Sequence, residues 1–417
     1  FEFPEVLNAD GDFIGFDLVI GNPPWGAEMK ENYLTHIKIT HQDIVVRMVD
    51  SFMFFIDLTL SLKSSKGIIC QIIPDVILYQ SDNLLLREKI FRDVQLSLAL
   101  NLGDRIFEDV ARPSCIILMT SEQNNKTFVG EYNIELKEIS NNLLTCLNTD
   151  FFLQIPNKVI STKNLKGYNL LKRLQGETLA SLIDEDGIQR GISPDLKEAF
   201  IVDADVVKTH DLEAAFVHPT LTGGRDTQKY FAKDVGKKIL YTKREDDTSE
   251  IKNIIKYVNT FSQKITCKEV LQGKHPIWAL HRAREAKIFD KEEKILGVIT
   301  GDRIIVSIDK SKIYATDGLY IFSSKGEYSN ELLVGLLNSS LLTYLYRLLS
   351  MEVNRTLAQI KPTTLQYLPF QFENLSVVPK IETKVKSIIE NLKSGNENIS
   401  SLEAEIDQLV FHLYGLT

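Results

Sequence analysis

The chain lacks what several protein classes require. Its four cysteines, Cys70, Cys115, Cys146 and Cys267, have no close spacing that could build a zinc knuckle or a Cys-x-x-Cys redox pair. They read as reduced thiols of a cytoplasmic protein, and no metal is expected. No apolar run reaches the roughly 18 residues of a membrane span, and the longest, residues 51–62, carries Asp57. No membrane segment is therefore expected. A surplus of positive charge is missing too. A net charge of -8 excludes a chain that binds nucleic acid over its whole surface, though not one with a single basic groove. There is no low-complexity tract and no internal repeat. The chain opens on Phe1 in mid-pattern, without an initiator Met or a signal region, which suggests a piece of a longer protein.

What is present is ordinary globular material. At 417 residues, 44% hydrophobic and 25% charged, the chain can bury two or three cores. Between residues 16 and 120 apolar strands alternate with amphipathic helices, which predicts an α/β unit with a largely parallel, doubly wound sheet. Strands are expected at 16–20, 68–73, 95–101 and 114–119. Helices are expected at 49–62, with Val49, Phe52, Met53, Ile56 and Leu60 on one face, and at 84–91. The polar stretch 121–142 suggests a link. From residue 151 short strands, glycine turns and scattered aromatics predict an α+β domain, with one long apolar helix at 331–349. Residues 379–414 carry apolar residues at helical spacing, split by Ser394-Gly395-Asn396, and predict a helical hairpin. The expected division is 1–125, a linker at 126–150, 151–376, and 377–417.

In an open α/β sheet, ligands bind beyond the carboxyl ends of the strands. The first strand runs directly into Gly21-Asn22-Pro23-Pro24-Trp25. Two prolines fix their own φ angles and exclude the preceding residues from the helical region, so this loop is rigid in advance. The Asn22 side-chain oxygen and the Pro23 carbonyl can then accept from one planar amino group, and Trp25 offers a face for an aromatic ring. Such an amine is a poor nucleophile, because its lone pair is delocalised. Two fixed acceptors favour a tetrahedral nitrogen with its lone pair aimed, which is catalysis by positioning and electrostatics. Asn and Pro are also common turn residues, but Asn-Pro-Pro-aromatic arises by chance in only about one chain in a few hundred.

With these residues in view the chain resembles the adenine-N6 DNA methyltransferases of type II restriction–modification systems, in particular those that fuse modification to restriction. The segments Phe1-Glu2-Phe3-Pro4-Glu5-Val6 and Gly15 through Gly26 look like that family's approach to its catalytic motif. Residues 66–74 and 101–107 look like the strands that follow it. Arg190-Gly191-Ile192, Leu221-Thr222-Gly223-Gly224-Arg225-Asp226, Leu336-Leu337-Asn338-Ser339, Tyr367-Leu368-Pro369 and Leu413-Tyr414-Gly415-Leu416 are similar to stations of its specificity domain and ending. The resemblance implies methyl transfer from S-adenosylmethionine to N6 of an adenine flipped out of double-stranded DNA. It assigns Asn22 and Pro23 to the amino group, Trp25 to one face of the base and Phe107 to the neighbourhood of the other. Pro24 and Phe55 would border the cofactor. For Phe55, on an apolar helix with Phe52 and Phe54, core packing is the favoured reading. The family's glycine loop and acidic residue for the cofactor ribose lie before the motif, and residues 1–21 do not supply them. The piece alone is therefore expected to bind cofactor poorly, any nuclease domain is expected upstream, and the enzyme is expected to be monomeric.

DNA contacts are expected from the second half. The basic candidates are Arg225 and Lys229, Lys243 and Arg244, and Arg282 and Arg284. Residues 274–294, where His275, Trp278, His281 and Phe289 interleave with basic residues, are the favoured contact stretch. Glu245-Asp246-Asp247 reads as a solvated acidic turn. Two alternatives remain open at this stage: a non-catalytic DNA-specificity subunit, and a methyltransferase for RNA or a protein glutamine amide.

Overall fold

The computed structural model describes residues 3–104, 106–108, 112–132, 144–160, 162, 165–174, 176–350, 358–370 and 372–416. Two compact units emerge: Phe1–Gln175 with Leu348–Met351, and Gly176–Arg347 with Glu352–Thr417.

The first unit is an α/β layer built on β1 (Phe16–Gly21), α1 (Glu31–Thr40), α2 (Ser51–Leu62), β2 (Lys63–Pro74), α3 (Leu84–Asp93), β3 (Gln95–Gly103), β4 (Ser114–Thr120), β5 (Lys126–Glu131) and β6 (Thr145–Asn148). Its six-stranded sheet has the order β1-β2-β4-β3-β5-β6. β1 and β2 pair in parallel, as do β3 and β5, whereas β4 is antiparallel to both β2 and β3. β1, β2, β3 and β5 thus run one way, with β4 inserted against them. The alternating apolar residues explain the layer: Ile69, Ile73, Leu96, Leu100, Cys115, Ile117 and Met119 are buried along the strands. On α2, Phe52, Met53 and Ile56 are buried, each such side chain contributing about 1.5–3 kcal/mol. On the same helix Phe55 and Leu58 are exposed, so Phe55 is not a core residue. β1 stands at an end of the strand order, with Leu18 and Ile20 more than half exposed.

Three expectations need correction here. The stretch taken as a linker, 126–150, holds strands β5 and β6; residues 133–143 of it lie outside the described residues. Its polar texture reflects a sheet margin, where Thr127 and Val129 point inward while Lys126 and Phe128 face out. The division between units falls after Gln175 rather than near 150. Helix α1 was not anticipated; it carries Tyr33, Leu34 and Ile37 at helical spacing but buries none of its residues.

The second unit is α+β. Its strands are β7 (Gln189–Arg190), β8 (Ile201–Val202), β9 (Val217–Leu221), β10 (Tyr230–Phe231), β11 (Lys238–Leu240), β12 (Lys294–Val298), β13 (Val306–Asp309), β14 (Tyr314–Ala315) and β15 (Leu319–Phe322). They form a five-stranded sheet, β10-β13-β12-β15-β7, and a four-stranded one, β14-β9-β11-β8. The single apolar helix expected at 331–349 is two helices, α4 (Asn330–Leu337) and α5 (Ser340–Ser350), bent by 66°. The cause lies at the join. The Asn338 amide leaves the helix to bond β13, and the Ser339 hydroxyl accepts from Leu342 N–H at 3.2 Å, capping the next helix. Among the described residues no single helix is long and apolar enough to cross a membrane, and Leu332 to Leu337 of the bent pair are buried in this unit. The hairpin is α6 (Val378–Lys393) and α7 (Ser400–Leu413), with Ile381, Val385, Ile388, Ile406 and Val410 buried.

Candidate active site and nucleic-acid interface

The loop after β1 and the connection after β3 leave the same, carboxyl edge of the sheet, because β1 and β3 run in the same direction. Asn22 is exposed and its side chain has no hydrogen bond among the described residues. Pro23 is buried, and its carbonyl likewise has no partner. The Pro24 carbonyl, by contrast, accepts the Ser51 hydroxyl at 2.6 Å. Both acceptors are therefore unengaged among the described residues, on a segment whose prolines fix its backbone. The loop turns away at Gly26, whose φ of +66° is a conformation that side chains disfavour.

Trp25 and Phe107 are brought together, with ring centroids 5.5 Å apart and planes at 77°. They are in edge-to-face contact, so a base does not fit between them. Phe107 braces Trp25 instead of facing it across a gap. Trp25 is half-buried, and its Nε1 is buried without a hydrogen-bond partner. Pro24 and Phe55 share one pocket of about 490 Å³, lined also by Ala27, Met29, Tyr33 and Leu58. Its apolar and aromatic walls suit a flat heterocycle. Sequence reading missed Asp50, Ser51 and Arg112 around this loop. They are isolated polar residues far from it in the chain, and only folding brings them there.

In the second unit the basic candidates separate. Arg282 is exposed and Arg284 half-buried. Arg190, not picked out individually from sequence, joins them. Burial, and then the neighbouring charges of Arg282 and Arg190, hold the Arg284 guanidinium below its usual range. Arg284 also adopts a φ of +65°, and its Nε donates to the Gly191 carbonyl at 3.4 Å. Three guanidinium groups that repel one another are an anion-attracting cluster. Arg225 and Arg244 are exposed and form no ion pair among the described residues. Lys229 is paired with Glu403 at 2.7 Å, and Lys243 stands 4.0 Å from Glu245.

The stretch 274–294 does not act as one contact strip. Phe289 lies in the core and Trp278 packs against it, His275 is buried, and Lys294 forms a fully buried ion pair with Asp309. Its aromatics hold the segment down, Arg282 is exposed, and Arg284 is half-buried beside Gly191. As for metals, Asp195, Cys267 and His281 bring donor atoms within 4.8 Å of one another, but His281 already faces Glu269 at 2.7 Å and Asp195 at 3.5 Å.

The strand-end loop and the apolar pocket beside it lie at the carboxyl edge of an open α/β sheet, where ligands bind in such folds. The comparisons specify it. Residues 1–107 match the family described as Eco57I restriction-modification methylase, and residues 226–370 match the TaqI-like C-terminal specificity domain. The chain thus has a segment similar to restriction–modification methylases followed by one similar to a specificity domain. Among solved structures, the type IIL restriction-modification enzyme MmeI in complex with DNA is similar with a TM-score of 0.62 at 12% identity, covering 96% of this chain and 54% of that one. The type IIG restriction endonuclease BpuSI matches with a TM-score of 0.38 at 13% identity, over 96% of this chain and 54% of that one. The chain spans about half the length of these solved relatives. No curated protein matches.

Proposed function

We propose that this chain supplies the catalytic loop and the DNA-reading part of a restriction–modification enzyme that methylates N6 of adenine in double-stranded DNA. The observation that carries the reading is the pair of unpartnered acceptors, the Asn22 amide oxygen and the Pro23 carbonyl, held on a proline-fixed loop. An exocyclic amino group donating to both is held with its lone pair directed away from the loop. The base is flipped out to reach it and stacks on Trp25, which Phe107 supports from the side.

S-adenosylmethionine supplies the electrophilic methyl group. Pro24 and Phe55, in the wall of the same apolar pocket, would lie against its adenine. Asn22 and Pro23 stabilise the amine as positive charge develops on nitrogen, and the surplus proton passes to solvent. RNA or a glutamine amide offers the same donors, but the specificity-domain match favours a duplex DNA substrate.

Single-molecule sequencing of DNA from cells expressing the intact gene tests the reading. N6-methyladenine at a recurring motif, lost in Asn22→Ala, is expected. Equal modification by both proteins would overturn the mechanism, and no modification by either would favour a non-catalytic specificity role.

A further inference from the structure

Asp50 and Ser51, at the start of α2, bond the candidate loop at Pro24, Gly26 and Ala27. Ser51 Oγ donates to the Pro24 carbonyl at 2.6 Å and accepts from Ala27 N–H at 3.3 Å. Asp50 Oδ1 accepts from Gly26 N–H at 2.8 Å, and its other oxygen meets Arg112 Nη1 at 2.8 Å. Ser51 Oγ also lies 3.3 Å from Asp50 Oδ1, but its single proton is better placed on the shorter contact to Pro24. Ser51 is buried, and Asp50 is only 17% exposed.

We propose that Asp50 and Ser51 are positioning residues that select which loop carbonyl faces the substrate. The inference rests on the reading of Asn22 and Pro23 as the amine acceptors. A loop with two consecutive prolines presents two carbonyls with no competing N–H of their own. Ser51 engages the second, Pro24, and thereby turns it towards α2. The first, Pro23, is left free to pair with the Asn22 side chain. Asp50 then fixes the exit from the loop. It holds Gly26 in its left-handed conformation and is itself anchored by Arg112, from the segment that follows Phe107. The same side chains thus set the carbonyl register and tie the loop to the connection that braces Trp25. A misplacement of about 1 Å at such a site costs roughly 100-fold in rate.

The test uses the full-length protein with Ser51→Ala, Ser51→Thr and Asp50→Ala. Expected is a fall in kcat of roughly 10- to 100-fold for Ser51→Ala, with KM for DNA and the melting temperature near wild type, and recovery in Ser51→Thr, which keeps the hydroxyl. Unchanged kcat in Ser51→Ala, or a loss explained by unfolding, would overturn the proposal. Hydrogen exchange provides a readout independent of methylation. The Gly26 and Ala27 amides should be protected in the wild type, with Gly26 losing protection in Asp50→Ala, which removes its acceptor, and Ala27 in Ser51→Ala. Rapid exchange of both in the wild type removes the clamp even if the protein methylates nothing. A protected loop in a protein without methylation instead leaves the clamp standing and refutes the functional reading.

Discussion

Asn338 pairs with Val306 through both ends of its side-chain amide: Oδ1 accepts from the Val306 N–H at 3.0 Å, and Nδ2 donates to the Val306 carbonyl at 2.9 Å. A side chain here completes the hydrogen bonding of a strand, and both residues are buried. Replacing it leaves two backbone groups without partners where water does not reach.

Asn338→Ala is accordingly expected to destabilise the second unit by about 3 kcal/mol, the desolvation cost of the orphaned N–H and C=O. Urea unfolding followed by a probe in this unit checks it. A change below about 0.5 kcal/mol, the usual range of surface substitutions, would show that the pair contributes little.

The arginines carry a second prediction, which rests on the proposed DNA contact. Arg190→Ala and Arg282→Ala should each weaken duplex binding and flatten its salt dependence by about 1 in the log–log slope. Lys229→Ala should leave the slope unchanged, because Glu403 already neutralises that lysine. Titration of a labelled duplex over a series of salt concentrations measures both. Equal slopes for all three variants would remove the cluster from the interface.

A third prediction concerns pH. His218 stacks on Tyr314, with centroids 4.1 Å apart, and burial lowers its pKa from 6.5, against the weaker opposing pull of Asp290. The unfolded chain therefore takes up the proton first as pH falls. The contribution is complete above pH 6.5 and is lost as pH drops through that value towards the lower folded pKa. His218→Phe, which keeps the stack, should show a shallower fall in melting temperature between about pH 7 and 5 than wild type. Parallel curves would exclude His218 as the source.

The strands β1 to β4 and helices α2 and α3 were legible, since each buries one face and so imposes a period of 2 or 3.6 on its residues. The insertion of β4 against its neighbours was not, because strand direction leaves no mark on periodicity. The break at Asn338 was hidden for a related reason. A polar residue in an apolar run signals burial with a partner or a helix end, and only the fold decides which. At the site, Asn22 to Trp25 stood out because the double proline has a conformational meaning of its own. Asp50, Ser51 and Arg112 did not, being ordinary residues until tertiary contact gives them a role. For Phe55 the sequence favoured the core over the cofactor wall, since Phe52 and Phe54 flank it on the same helix, although the inward face read as Phe52, Met53, Ile56 and Leu60 already left it aside.

The insertion of β4 between β2 and β3 has a kinetic meaning as well. β3 and β4 are consecutive and antiparallel, so they can pair locally, before the longer loop to β2 and β1 is closed. The connection between them carries Phe107 and Arg112, the partners of Trp25 and Asp50. Docking of that hairpin onto β2 is then the event that gives the Asn-Pro-Pro-Trp segment its surroundings. Loop-closure entropy thus predicts that the surroundings of this segment are completed only as the sheet closes.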